Sequence, residues 1–331
     1  MRKIIDFSSH APSFLSYSSV GGYEERQGPL GDKFDLASKD DRFGMPTWES
    51  AEGEMARLAL NLSLKKANLV SDDIDVLFAG DLENQCVATA NGLYTFGIPY
   101  VGLYSACSTL TEGLLLASTL LSKGDFSRGA VVTSSHNSAA ERQFRAPVEY
   151  GGQRTPSAQW TATAAGSFVL GFGAPVQIIE AMPGKIVDGL TLDGSDMGSA
   201  MARSAFDTIY SYLSLKGSRE NIELIVTGDL GFYGSAILRE LLAKENVFAP
   251  ENHVDCGTLL YSKKGKDPHA GASGCGCSAA VLANYFLPRL ENGDLSEILF
   301  LSTGALMSPS SLLQKQNILG LTPLIRISKK R

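Results

Sequence analysis

One block of this chain is written twice. "ACSTLTEGLLLASTLLSKGDFSRGAVVTSS" (106–135) aligns with "CGCSAAVLANYFLPRLENGDLSEILFLSTG" (275–304). Each copy opens on cysteine and small residues, continues as a long helical stretch, turns at Gly-Asp, and ends as an apolar strand closing on small hydroxyl residues. A shorter pair, "DIDVLFAGDLENQ" (73–85) and "NIELIVTGDLGFY" (221–233), precedes the two blocks in the same order. Two motifs repeated in one order point to a duplicated fold. The halves fall at 1–173 and 174–331.

The elements follow from hydrophobic period. Helices are predicted over 53–69, 107–123, 197–215, 231–245 and 275–291. Strands are predicted over 74–80, 99–104, 129–135, 166–172, 222–228, 254–261, 297–303 and 322–328, with 175–189 extended. Strands alternating with helices make an α/β chain whose sheets are covered by helices. The helices at 107 and 275 carry Ala, Leu, Ser and Gly on nearly every face, so they are buried elements. Two half-sheets enclosing two central helices give a five-layer αβαβα architecture of two pseudo-repeats, the thiolase-like fold. Two stretches stand outside the period. Gly and Pro punctuate 11–50, and 136–165 reads as a long polar and aromatic loop, a kind that usually carries function.

Charge and cysteine content narrow the function. The 331 residues include 29 Lys and Arg against 35 Asp and Glu, a formal net charge of −6. A nucleic-acid binder normally shows a basic surplus, so nucleic acid is not an expected partner. No apolar run reaches the length of a membrane span, and the N-terminus has no signal-peptide core. Five cysteines at 86, 107, 256, 275 and 277 form no framework spacing, so thiols in a reducing compartment are expected. The Cys-x-Cys at 275 and 277 is a weak metal pattern beside a packed helix start, and no metal or cofactor is expected.

Cys107 is placed where a strand becomes a helix. A helix N-terminus offers unpaired amides and partial positive charge, which favours either a thiolate or a bound anion. "ACST" resembles the nucleophile elbow of thiolases and ketoacyl synthases. A condensing enzyme also needs a base and oxyanion donors, which that superfamily takes from a later His paired with His or Asn. Here "HAGASGCGCS" resembles the thiolase turn, but aligning 271–274 on it puts Pro268 where the histidine belongs, with His269 one residue out of register. No H-x-x-N follows residue 220. A cysteine-dependent acyltransferase or condensing enzyme is therefore the alternative, and a non-enzymatic binding protein the first expectation.

The segments "GPLGDKFD", "WESAE", "FAGDLENQ", "GIPYVGLYSACST", "TSSHNSAAERQFRAPVEYGGQRTPSAQW", "ASGCGCSA" and "STGALMSP" extend over nearly the full chain. In them the chain resembles the stage V sporulation protein AD family of spore-forming Firmicutes. That resemblance implies binding of dipicolinic acid (pyridine-2,6-dicarboxylate), alone or as its calcium chelate, and its uptake into the developing spore with membrane proteins of the same operon. It implies synthesis in the forespore cytoplasm and peripheral association with the spore inner membrane. Thiolase-like proteins commonly pair through an edge strand, so a homodimer is expected by analogy.

A flat dianion needs cationic or N–H donors, small residues for close approach and an apolar slot. Arg142 and Arg145 in "ERQFR" could fork a carboxylate, although Glu141 and Arg142 could instead form a structural pair. His136 could donate to the ligand or satisfy a backbone carbonyl, and Ser135 could bond to either. Asp81 and Asn84 follow the first "GD" strand. Asp81 would suit a calcium chelate or could bond to the helix at 107, but the repeat has its own Asp229, so both could instead be structural turn residues. Tyr150, Gln153 and Trp160 could edge the ring. Cys107 and Ser273 complete the candidate set as close-approach residues.

Overall fold

The residues of the interior strands alternate between two cores, as buried strands must. In a computed structural model that describes residues 2–144, 154–217, 222–246, 250–261 and 269–330, the elements that position the site are ten strands and six helices. The strands are β1 (Ser13–Gly21), β2 (Val76–Gly80), β3 (Tyr100–Gly102), β4 (Gly129–Ser135), β5 (Ala164–Gly171), β6 (Val176–Met182), β7 (Leu224–Thr227), β8 (His253–Asp255), β9 (Glu297–Leu301) and β10 (Leu324–Lys329). The helices are α1 (Trp48–Ala67), α2 (Thr109–Ser122), α3 (Asn137–Phe144), α4 (Met197–Lys216), α5 (Gly231–Lys244) and α6 (Cys275–Val281). Helix α6 continues through a π turn, Leu282–Phe286, into Leu287–Asn292.

The strand order is β3-β2-β4-β5-β1 in the first half and β8-β7-β9-β10-β6 in the second. The two halves share one topology, each with its fourth strand parallel to its second and antiparallel to its fifth. On β9, Ile298 and Phe300 join the central core while Leu299 and Leu301 join the outer core beneath α4 and α5. On β4, Val131 faces inward while Ala130 and Val132 face outward beneath α1. Helices α2 and α6 fill the space between the half-sheets, completing the five layers. The half-sheets are joined by one residue pair, Ser13 opposite Gln177, so hydrogen bonding runs as a single path through both.

Three elements differ from the sequence expectations. Strand β1 lies inside 11–50, where no period was readable. Its serines are buried, and two of them spend their hydroxyls on α1 carbonyls, Ser16 Oγ on Ser63 at 2.8 Å and Ser18 Oγ on Ala59 at 2.6 Å. Residues 137–144 form helix α3 rather than loop. The predicted strand at 254–261 ends at Asp255, because Cys256–Leu260 turns into a short helix.

Helix α6 approaches β5 with nothing between their backbones. A Cβ added at Gly276 would lie 2.1 Å from the Ala164 carbonyl oxygen, and one added at Gly166 would lie 2.7 Å from Ala279 Cβ. A carbonyl in a paired strand cannot retreat. Gly276→Ala is therefore expected to cost about 2–3 kcal/mol by overpacking, read from the urea midpoint. An unchanged midpoint would show that the helix can shift away from the strand.

Candidate functional site

Cys107 does not open the α-helix itself. It is the middle of a 3-10 turn, Ala106–Ser108, with α2 beginning at Thr109. Ala106 has φ +49°, the left-handed region that non-glycine residues seldom occupy. This sharp turn aims the thiol at the start of α6 in the other half. Gly274, with φ +105°, ends the strand pair formed by Ala272–Ser273 and Trp160–Thr161 and begins α6.

A cavity of about 140 Å³ reaches the thiol. Cys107, Ala106, Thr161 and Ser273 form its floor, and Leu82, Tyr104, Ala140 and Phe144 one side. The facing wall comes from Gly194, Met197 and residues 305–307 of the second half. Among the described lining residues only Glu141 is charged, and none is histidine, lysine or arginine. Glu141 pairs with Arg154 at 2.6 Å, and both side chains are largely buried. The Arg154 guanidinium also lies 4.6 Å from the Trp160 ring centroid and donates to the Gln159 carbonyl at 3.1 Å.

Electrostatics at the sulfur oppose a thiolate. Burial, then the carboxylate of Asp229, push the Cys107 thiol well above its ordinary range. Asp229 is fully buried and accepts from Gly274 N at 2.8 Å and from Thr303 Oγ1 at 2.6 Å. The lowered thiol pKa that a helix N-terminus would confer is thus overridden by burial and by this negative neighbour.

Of the sequence candidates, Cys107 and Ser273 meet in the cavity. The others named here do not line it. Asp81 accepts from Thr89 N and Thr89 Oγ1, both at 2.7 Å, and from Glu83 N at 2.7 Å, rather than bonding to the helix at 107. Asn84 is exposed and accepts from Tyr104 Oη at 3.2 Å. Ser135 Oγ ties β4 to the central layer, donating to the Ala162 carbonyl at 2.7 Å and accepting from Gly276 N at 3.2 Å. His136 Nδ1 accepts from Ser138 N at 3.2 Å, so Nε2 donates to the Asp41 carbonyl at 2.9 Å, and burial holds the ring neutral. Arg142 is exposed and pairs with Glu49, not with Glu141. Trp160 stands behind the wall under Arg154. Arg145, Tyr150 and Gln153 lie outside the described residues.

Two residues were missed as site residues. Arg154 was one cation in "GGQRTPSAQW", and only its neighbour Trp160 hinted at a platform for it. Asp229 was visible only as the repeat partner of Asp81.

Buried ionisable groups around these elements make stability depend on pH. Burial raises Asp229 to about 6 and Asp255, Glu25 and Glu83 to about 7. Unfolded carboxylates titrate near 4, so between about 4 and 7 the folded chain binds more protons, and stability falls as pH rises through that window. His136 and His253 are lowered by burial and act in the opposite sense below about 6.5. Four carboxylates outweigh two histidines. The urea midpoint is expected to be higher at about pH 5.5 than at about pH 8; the reverse order would mean these carboxylates ionise in place.

The fold is shared with condensing enzymes of low sequence similarity. The chain superposes on 3-oxoacyl-[acyl-carrier-protein] synthase III from Aquifex aeolicus VF5 with a TM-score of 0.56 at 13% identity, covering 95% of this chain and 99% of that one. It superposes on a variant of OleA from Xanthomonas campestris with a TM-score of 0.61 at 14% identity, covering 96% and 98%. In sequence it is 40% identical over 310 residues to stage V sporulation protein AD of Bacillus subtilis (strain 168), spanning 93% of this chain and 91% of that protein. The profile of the stage V sporulation protein AD family matches residues 2–328. The chain belongs to the stage V sporulation protein AD family and has a thiolase-like fold.

Proposed function

We propose that this protein binds dipicolinate at the Cys107 cavity, as its calcium chelate, and takes part in loading it into the developing spore. The observation that carries the reading is the chemistry of the wall: an apolar slot whose one charged residue among the described lining is Glu141, with Arg154 paired to it behind the wall and no histidine among the described lining residues. A planar ring fits between the apolar walls. A ligand carboxylate takes the fork of Arg154 in two parallel hydrogen bonds. The Glu141 carboxylate on the cavity wall would repel a bare dianion. It suits a calcium ion carried by the diacid, because calcium takes carboxylate oxygens. Thr161 and Ser273 supply hydroxyl residues on the floor.

The condensing-enzyme reading is less well supported. Its thiol must ionise, and here burial and Asp229 oppose that.

Action with membrane proteins of the same operon, at the spore inner membrane, extends the proposal through the family resemblance. A homodimer extends it through β3. That strand is the free edge of the sheet, all three of its residues are exposed, and none is charged. A second copy meeting it there brings no like charges together, although the chain as a whole carries a net charge of −6.

Calorimetry tests the site. The calcium chelate is expected to bind at least about tenfold more tightly than calcium-free dipicolinate, a difference of about 1.4 kcal/mol. Arg154→Ala is expected to weaken both forms by a similar factor, and Glu141→Gln to remove the preference for calcium. Wild-type protein giving no heat with either form would refute the reading.

A further inference from the structure

We propose that Gln143 is the latch of the Cys107 cavity: its side-chain amide clasps the last turn of α3 to the 82–84 turn, and release of that clasp admits a guest. The cavity is small, about 140 Å³, against roughly 300–1,000 Å³ for a small-molecule site. A wall must give for a planar guest to enter, and the walls are unequally held. The facing wall is firm. Ala305 and Leu306 lie in the strand Gly304–Leu306, paired with Leu319–Leu321, and Met197 opens the 20-residue α4. The α3 side is not. The buried residues of that helix are Asn137, Ala139 and Ala140, all in its first half. Glu141 and Phe144 line the cavity from the second half. Polar ties hold that turn, Glu141 to Arg154 at 2.6 Å and the exposed Arg142 to Glu49. An exposed ion pair adds little. A turn with so little buried apolar surface is where local opening starts.

Gln143 adds a tie that uses both ends of its amide. Oε1 accepts from Asn84 N at 3.0 Å, and Nε2 donates to the Leu82 carbonyl at 2.9 Å. One partner can only donate and the other only accept, so the amide has one orientation. The clasp joins two elements that line the same side of the cavity, α3 through Ala140 and Phe144, and the turn through Leu82. The turn is anchored independently. Asp81 accepts from Glu83 N at 2.7 Å, Cys86 Sγ donates to the Leu103 carbonyl at 3.0 Å, and Tyr104 Oη donates to Asn84 Oδ1 at 3.2 Å. Opening therefore swings the end of α3 and carries Phe144 away from Leu82. The inference concerns entry, so it goes beyond the diacid reading and holds for any guest that reaches Cys107.

Disulfide exchange of Cys107 with 4,4′-dithiodipyridine, followed by peptide mass spectrometry, tests it. The thiolate attacks the S–S bond of the reagent, a mixed disulfide forms and 4-thiopyridone leaves. No dipicolinate is used, so failure here leaves the diacid reading standing. Cys256, Cys275 and Cys277, fully buried, report an intact fold in the same digest. Gln143→Ala is expected to label Cys107 at least about tenfold faster than wild type at about pH 8, the order set by losing two partly exposed hydrogen bonds, with those three cysteines unlabelled. An unchanged rate in the folded variant would overturn the proposal. Should Gln143→Ala label all four cysteines, the isosteric Gln143→Glu decides. Its ionised carboxylate repels the Leu82 carbonyl, whereas its protonated form donates to it. Its Cys107 rate relative to wild type is expected to exceed one at about pH 8 and to fall toward one at about pH 4, where a glutamic acid is mostly protonated. A ratio that does not fall overturns the proposal.

Discussion

The first turn of α6 lies against the backbones of β4 and β5, and the rest of the site depends on that contact. Gly276 on the Ala164 carbonyl and Gly166 on Ala279 leave no room for side chains between helix and strand. The approach brings Gly274, Asp229 and Ser273 from the second half to Cys107 in the first. A wider spacing would separate Asp229 from the thiol and open the cavity floor. The repeat thus does more than duplicate an architecture. It creates a seam at which two helix starts converge, and the candidate site sits at that seam.

The two starts have diverged. In the first, a left-handed Ala106 presents a thiol to the cavity, while in the second, Gly276 takes the corresponding place and is used for packing. Their "Gly-Asp" turns have diverged likewise. Asp81 fastens the helix that follows it by accepting from Thr89, whereas Asp229 fastens the start of α6 by accepting from Gly274 N. The scaffold of the condensing enzymes is retained at 13–14% identity, but the field at its centre favours a neutral thiol. Low dielectric magnifies that preference, since Cys107 is 6% exposed and Asp229 has no exposed surface. The same burial makes the second half's Asp229 and Asp255 proton acceptors in the folded chain, so the site and the pH response of the fold share one cause.

Much of the architecture was legible because buried strands and central helices must be continuously apolar, and the chain writes that pattern twice. Strand β1 was not legible, because serines stand at its positions facing α1, where Ser16 and Ser18 meet the cost of burial by bonding α1 carbonyls. Helix α3 was read as loop, and that obscured the site. Consecutive residues on a helix point about 100° apart, so Glu141 faces the cavity while Arg142 faces solvent and Glu49. Read as loop, the two looked equally available. Arg154 and Asp229 were hidden for a different reason: their partners are 13 residues away in one case and 45 in the other. Cys107 and Ser273 were found because each sits at a turn whose local sequence signals close approach.

The proposed diacid site beside the Cys107 thiol makes one direct structural demand. In crystals of this protein soaked with calcium dipicolinate, the pyridine ring is expected between Phe144 and Met307, one carboxylate on Arg154, the metal on Glu141, and Cys107 Sγ unmodified. Density for the diacid elsewhere, with this cavity empty or closed, or a covalent adduct on Cys107, would contradict it.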